Sequence, residues 1–374
     1  MDKERVLKAF IELTKIDSPS WAEGKIAAHL EQELQALGFT VGFDGSAQAT
    51  ASDTGNLIAR LPGTAPGRIM LAAHMDNVEP CKGIEPVVGE DGVIRSQGDT
   101  VLGADDKAGV AAILEAVRSV LEAGRPRPEI HVLFTTCEEQ SLLGAKALPD
   151  GVFEGDIPCF VLDADGAPGT LVIGAPYHYS FQATFTGKAA HAGVEPEAGR
   201  SAIQMAAWGI AAAMELGRLD EDTTANVGMI EGGRAVNIVP DLCVVSGECR
   251  SLHADKAEAL RARITQALER GAEEFGGTVD VQWVLDYPGI LYSDDDPLVA
   301  KAAEVAQAVG LVPRLAHSGG GADTNVLATK GTRPLTLGIG MKDFHSLMEH
   351  IAVKDLEDTA RFAEALIGAF ADPF

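Results

Sequence analysis

Three stretches of this chain are apolar on consecutive residues and then stop at acids or a histidine. Arg68–Ala73 (Arg-Ile-Met-Leu-Ala-Ala) leads into His74-Met75-Asp76. Ile130–Thr136 (Ile-His-Val-Leu-Phe-Thr-Thr) leads into Cys137-Glu138-Glu139, and Cys159–Leu162 leads into Asp163. Runs this short, apolar on both alternating faces, suit strands covered by helices above and below. They predict an α/β protein whose sheet is buried on both sides, which restricts the fold more than composition does.

The flanking segments supply the helices. Val6, Leu7, Phe10, Ile11 and Leu13 recur at helical spacing within residues 3–16. Ser20 with Glu23 reads as a capping box that opens a helix carrying Ile26, Leu30, Leu34 and Leu37, stopped by Gly38. Asn56–Leu61 reads as a strand, residues 81–97 as a hairpin turning at Gly92, and Val110, Ile113, Leu114, Val117, Val120 and Leu121 as the inner face of a helix. Near residue 178 the pattern changes to half-buried strands: Tyr179–Thr186, a helix over 201–217, Asn226–Ile230, Cys243–Arg250, a helix over 255–275, and Thr278–Leu285. Strand-helix-strand-strand-helix-strand is the ferredoxin-like order. The expected organisation is a catalytic domain in two parts, 1–177 and 291–374, interrupted by a ferredoxin-like α+β domain over 178–290. Helices over 298–309 and 356–370 and a strand at Leu335–Ile339 complete the outer domain.

The totals narrow the function. The 374 residues include 55 acids against 30 Lys and Arg, a net charge of −25. Such a surface repels phosphate backbones, so a nucleic-acid partner is not expected. No run of 18 apolar residues occurs, and the charged start Met1-Asp2-Lys3-Glu4-Arg5 has no apolar signal core, so a cytoplasmic protein without a membrane partner is expected. The five cysteines form no CxxC pair. A metal would therefore be held by carboxylate and imidazole rather than thiolate.

In open α/β sheets ligands bind beyond the carboxyl ends of the strands. His74, Asp76, Glu138, Glu139 and Asp163 all fall there. A further cluster, Gly103-Ala104-Asp105-Asp106-Lys107-Ala108-Gly109, lies where a loop feeds a helix N-terminus, which favours negative charge. Carboxylates this close need a counter-ion, and one or two divalent cations supply it. Imidazole with carboxylate suits zinc, with cobalt or manganese able to substitute. One aspartate can bridge two ions about 3.5 Å apart, and Asp105 is the candidate, with Asp106 competing. Asp76, two residues after His74, suits fixing the imidazole tautomer. Of Glu138 and Glu139, one can bind metal and the other take a proton from water. Asp163 is preferred to Asp165 because it follows the apolar run directly. His345 competes with His350 and His317. No GxxxxGK[ST] motif occurs. Ser318-Gly319-Gly320-Gly321-Ala322-Asp323 reads as a turn into a helix or as a nest for substrate.

With these residues assembled, the chain resembles the co-catalytic zinc peptidases that include peptidase T, the glutamate carboxypeptidases, carnosinases, aminoacylases and succinyl-diaminopimelate desuccinylase. The motifs are His74-Met75-Asp76, Gly103–Gly109, Glu138-Glu139, Asp163, Gly187-Lys188-Ala189-Ala190-His191-Ala192-Gly193, Asn237-Ile238-Val239-Pro240-Asp241, and Phe344-His345-Ser346 with Glu349 after it. The resemblance implies a zinc-exopeptidase-type mixed sheet with helices on both faces, interrupted by a ferredoxin-like lid that also serves dimerisation. It implies two divalent metal ions per chain, one held by His74, Asp105 and Asp163, the other by Asp105, Glu139 and His345. Glu138 is then the general base and Asp76 the orienting carboxylate. A cis peptide between Asp105 and Asp106 is implied too.

His191 resembles the lid histidine that approaches the substrate carbonyl, which in some dimeric relatives comes from the partner subunit. Arg250, at the end of a lid strand, has the guanidinium geometry to grip a substrate carboxylate at two points, with Asn237 at the same subsite. Gly-Ala-Asp-Asp-Lys-Ala-Gly with aspartate at 163 is most similar to peptidase T, which implies an aminopeptidase of di- and tripeptides. The alternatives are an amidohydrolase of N-acyl amino acids or a carboxypeptidase of the same family, and, from another class, a non-catalytic metal-binding oligomerisation protein. Glu138 argues against the last, since no ligand role requires it.

Overall fold

A computed structural model describes residues 1–153 and 155–374, with the backbone alone at 213. The three apolar runs are strands, Arg68–His74, Glu129–Thr135 and Ile157–Ala164. They are adjacent and parallel, with Arg68–His74 in the middle. Successive residues of each enter different cores. Ile69, Leu71 and Ala73 join Ile130, Val132, Phe134, Phe160 and Leu162 in one cluster, while Met70, Ala72, Leu133, Cys159 and Val161 join another on the opposite face. Alternation of side chains across a strand requires this when both faces are covered. Each large apolar side chain buried this way contributes about 1.5–3 kcal/mol, so the strand ends are held on a rigid base.

The sheet grows outward from this centre. Leu57–Leu61 and then Thr40–Phe43 are added beside Glu129–Thr135, and Thr332–Gly338 and Thr170–Ala175 beside Ile157–Ala164, giving a mixed sheet. One face is covered by the helices Lys3–Thr14, Ala104–Ala123, Pro297–Ala308 and Val353–Ala369. The hairpin expected over 81–97 forms from Pro86–Val88 and Val93–Ser96, with Gly92 at φ 72°, and gains a third strand, His350–Ala352. Among the described residues no helix is long and apolar enough to cross a membrane.

Two local expectations are corrected. Ser20 and Glu23 do not cap the helix Gly24–Ala36: Glu23 makes no side-chain cap bond there. The amide of Gly24 is met by Asp53 at 2.7 Å instead, and both expected capping side chains turn toward the strand ends. The helix expected over 201–217 is an α-helix only at Ala202–Trp208, followed by a π-turn at Gly209–Ala213.

The chain divides into two compact units, Met1–Ile173 with Tyr292–His317 and Ala322–Phe374, and Gly174–Leu291 with Ser318–Gly321. The second has a five-stranded antiparallel sheet in the order Gly217–Asp220, Thr223–Gly232, Leu242–Ser251, Tyr177–Thr186, Thr278–Tyr287. Its four long strands follow the ferredoxin-like order, with Gly217–Asp220 added at one edge. Tyr179, Phe181, Ala183 and Phe185 face the helices Ala202–Trp208 and Ala254–Glu274 in its core.

Candidate metal centre

His74 is the last residue of the central strand and is 1% exposed. Its Nδ1 lies 3.0 Å from the main-chain oxygen of Asp76, an atom that can only accept, so Nδ1 carries the proton. Nε2 then faces Asp105 Oδ1 at 2.8 Å and Asp163 Oδ1 at 3.7 Å. The other oxygen of Asp105 lies 3.2 Å from His345 Nε2. That nitrogen is in turn 3.0 Å and 2.9 Å from the two oxygens of Glu139. Asp105 thus presents one oxygen to each of two imidazoles, and each imidazole has a second carboxylate beside it.

The loop that carries Asp105 is built for this. The Asp105–Asp106 peptide is cis, as the resemblance implied. Asp106 turns away and accepts the main-chain N–H of His74 and of Gly109, both at 3.2 Å. A Cβ on Gly109 would lie 2.3 Å from the Leu162 oxygen and 2.4 Å from Asp106 Oδ1, so only glycine lets the helix approach the neighbouring strand. Lys107 is fully buried and donates to Ser18 Oγ and the Met75 oxygen, both at 2.8 Å, and to Asn77 Oδ1. Asn77 Nδ2 donates onward to the Asp105 main-chain oxygen at 2.6 Å. Lys107 is thereby a structural cation rather than a group open to a substrate.

The glutamates are placed by Asp76, which is fully buried. One of its oxygens accepts from Glu138 N at 2.9 Å, the other from Glu139 N at 3.2 Å and Ser20 Oγ at 2.7 Å. Glu23 accepts from Cys137 N at 2.8 Å and so fixes the start of the same turn. This is where the two expected capping residues went. The carboxylate of Asp76 itself is 3.5 Å from His74 Nδ1, farther than its own main-chain oxygen. Among the described residues no donor is bonded to the Glu138 carboxylate, which leaves it free for other work.

Electrostatics describe a set of charges short of cations. Burial pushes the Glu138, Asp163 and Asp106 carboxyls well above their ordinary range. Burial would raise Asp105 too, but hydrogen bonds from His345 and His74 hold it below the usual carboxylate range. Bonds to Asp105 and Glu139 hold the His345 imidazole up to about 10. Protonated imidazoles between carboxylates occupy the same places as a divalent cation, and the donors are of the nitrogen-and-oxygen type that zinc takes. In two sets, His74 with Asp105 and Glu139 and His74 with Asp106 and Asp163, the ligand atoms lie within 4.8 Å of one another. The residues present fit a divalent metal.

Asp165 is exposed and His350 Nδ1 faces the Met348 oxygen at 2.9 Å, so neither enters this cluster. In the second unit, His191 pairs with Ile238 and the Ala192 amide donates to the Asn237 oxygen at 2.9 Å, which puts the exposed His191 and Asn237 side by side. Arg250 is elsewhere. Leu242 pairs with Thr186 at the end nearest His191, whereas Arg250 pairs with His178, about 27 Å along the sheet at ~3.4 Å per residue. Arg250 donates to Glu248 at 2.8 Å, Tyr287 Oη at 3.3 Å and the Gly319 oxygen at 3.1 Å. Within one chain, Arg250 and Asn237 do not share a subsite.

Sequence reasoning missed Asn77, and the roles of Ser20, Asp323 and Glu349. Asp323 opens the helix Asp323–Leu327, is 1% exposed and accepts from Thr135 Oγ1 at 2.5 Å. Burial raises its carboxyl to about 6. Position was the only available signal: Asn77 follows Asp76, and Glu349 sits four residues after His345.

Comparison with known proteins finds relatives over the whole length of the chain. The aminopeptidase PepT of Bacillus cereus ATCC 10987 has a solved structure 40% identical to this chain, covering all of both chains with a TM-score of 0.93. A tripeptidase (SAV1512) from Staphylococcus aureus Mu50 is 36% identical, covers 99% of each chain and has a TM-score of 0.94. The protein YqjE of Bacillus subtilis strain 168 is 39% identical over 368 residues, 98% of each chain. The model of peptidase family M20/M25/M40 matches residues 70–369, a span that takes in both the strand ends and the inserted unit, and the chain belongs to that family.

Proposed function

We propose that the chain is a metal-dependent exopeptidase that removes the N-terminal residue of di- and tripeptides. The observation that carries this reading is Asp105, with one oxygen toward each of two histidine–carboxylate pairs, near a Glu138 carboxylate that no donor among the described residues bonds. His74, Asp105 and Asp163 would hold one divalent ion, and Asp105, Glu139 and His345 the other, with zinc the expected metal and cobalt or manganese able to replace it. Asp106 is left as scaffold because both its oxygens accept main-chain N–H groups. When bound, such a pair supplies Lewis acidity and lowers the pKa of water toward neutrality.

The chain's own groups do the rest. Glu138 takes the proton of the attacking water and delivers it to the leaving amine nitrogen. Asp76 holds both glutamate amides and so sets where that carboxylate stands. Arg250 grips the carboxylate end of a short peptide. His191 and Asn237 lie at the far end of the inserted unit from Arg250, so the reading assigns their contact with the substrate to a second copy, in a homodimer formed through that unit. The names aminopeptidase PepT and tripeptidase of the two solved structures above favour an aminopeptidase over the deacylase or carboxypeptidase alternatives.

The test uses chelated protein reloaded with zinc, cobalt or manganese, given a tripeptide with a free amine, its N-acetylated form and a C-terminally amidated form. Release of the first residue from the free-amine tripeptide alone is expected. Cleavage confined to the blocked peptide would show a deacylase, and release from the carboxyl end a carboxypeptidase. Glu138→Gln is expected to lower kcat by about 100-fold or more while metal content stays unchanged.

A further inference from the structure

His345 stands on a loop whose side chains pack against little. Lys342, Asp343, Phe344, His345, Leu347 and Met348 are exposed, and Ser346 is half-exposed. Asp343 and His345 also adopt left-handed backbone at φ 51° and 59°, a region costly for residues other than glycine. Such a loop does not place an imidazole to a fraction of an ångström by its own packing. Its neck is closed by main-chain bonds between Lys342 and His350, both at 3.0 Å. Beside that neck sits the one buried side chain from Lys342 to Glu349, the carboxylate of Glu349, 3% exposed.

The main-chain N–H of Glu349 donates to the Ser346 oxygen at 3.1 Å, but its carboxylate reaches out of the loop. Its Oε2 accepts from Leu102 N and Gly103 N, both at 2.7 Å, and its Oε1 accepts from Asp105 N at 2.9 Å. Three main-chain donors of the loop that ends in Asp105 are thus gathered by one side chain from the loop that carries His345. A buried carboxylate next to Asp105 is electrostatically unfavourable, since burial and the Asp105 charge both act against its ionised form. A neutral acceptor does not replace it. Glutamine offers an acceptor at one end only and would turn an N–H₂ against an N–H donor at the other. The geometry asks for acceptors at both ends, and a carboxylate is the side chain that provides them.

We propose that Glu349 is a positioning residue that sets the separation of Asp105 and His345, and with it the ion position bounded by Asp105, Glu139 and His345. The inference rests on the two-ion reading above. It goes beyond it by giving a role to a residue that touches neither ion nor substrate.

The experiment compares wild type, Glu349→Gln and Glu349→Asp. For each, zinc affinity is measured by competition with a chromophoric chelator, unfolding of the metal-free chain by calorimetry, and kcat and KM on the free-amine tripeptide. In Glu349→Gln, one of two ions is expected to bind about 10- to 100-fold more weakly, the usual scale for residues that orient a ligand. The other ion should keep its affinity, and kcat should fall with KM within about twofold. Glu349→Asp retains both acceptors and is expected to recover part of the lost affinity; it also carries the test if the glutamine variant does not fold. A folded Glu349→Gln with both affinities and kcat at wild-type values, differing only in unfolding temperature, would overturn the proposal, as would an aspartate variant no better than glutamine. Wild-type protein that binds fewer than two ions, or that leaves the tripeptide intact, overturns the two-ion reading instead.

Discussion

In the proposed two-ion site, Asp105 is the residue on which both halves depend. Its oxygens face His74 and His345 separately, whereas Asp163 approaches His74 alone among the two imidazoles. The two carboxylates therefore predict different losses. Asp105→Asn is expected to empty both ion positions on dialysis against a chelator that leaves wild type loaded, while Asp163→Asn should release one. Atomic emission on the dialysed proteins checks this, and equal losses in the two variants would refute the bridging role. Residues that only support the site read differently. Lys107 and Asn77 contact each other, Ser18 and main-chain oxygens, and Ser20 donates to the Asp76 carboxylate, so their loss acts through misplacement.

At the scale of elements, the apolar strands were legible because their signal is local. Each run is buried on both faces, so its hydrophobicity shows along the chain without knowledge of its neighbours. Capping was not legible in the same way. Ser20 and Glu23 have the spacing of a capping box, yet Asp76 and the Cys137 amide compete for them and win, because a buried polar group left unpaired costs more than an exposed helix end that another residue can cap.

The second unit offers an element-scale test with a pH sign. Hydrogen bonds from His178 and Arg250 hold the Glu248 carboxyl down at about 2, against the pull of burial. A depressed carboxylate stabilises the folded state fully above its ordinary pKa, and that contribution fades as pH falls from about 4.5 toward about 2. Trp208 and Trp283 report on this unit, and Trp21 lies outside it. In a Trp21→Phe background, acid titration followed by tryptophan fluorescence is expected to show loss of native signal in this window. Glu248→Gln should weaken the unit at neutral pH and flatten that dependence; an unchanged titration would remove Glu248 from the account.

At the scale of the whole molecule, the proposed substrate roles of Arg250, His191 and Asn237 call for two chains per site, because the residues lie far apart along one sheet. If a second copy supplies His191, two inactive variants should rescue each other. Glu138→Gln mixed in equal amounts with His191→Ala forms hybrids in half of the dimers, each with one intact site, so about a quarter of wild-type activity is expected after exchange. Activity no greater than the sum of the separate variants, or sedimentation as a monomer at assay concentration, would show that each chain works alone.

The sequence by itself determined the α/β class, the ferredoxin-like insert and the strand ends at which His74, Glu138, Glu139 and Asp163 emerge. Periodicity, apolar runs and strand polarity are properties of short segments, and they need no distant partner to be read. Tertiary structure alone decided which oxygen of Asp105 meets which histidine, and that Asp106 turns to the main chain. It alone decided that Ser20 and Glu23 serve the glutamate turn, that Asn77 and Lys107 brace Asp105, and that Glu349 ties the His345 loop to the loop before it. Those choices are settled between segments up to 247 residues apart, by which buried donor finds which acceptor, and nothing in the spacing of residues along the chain records that pairing.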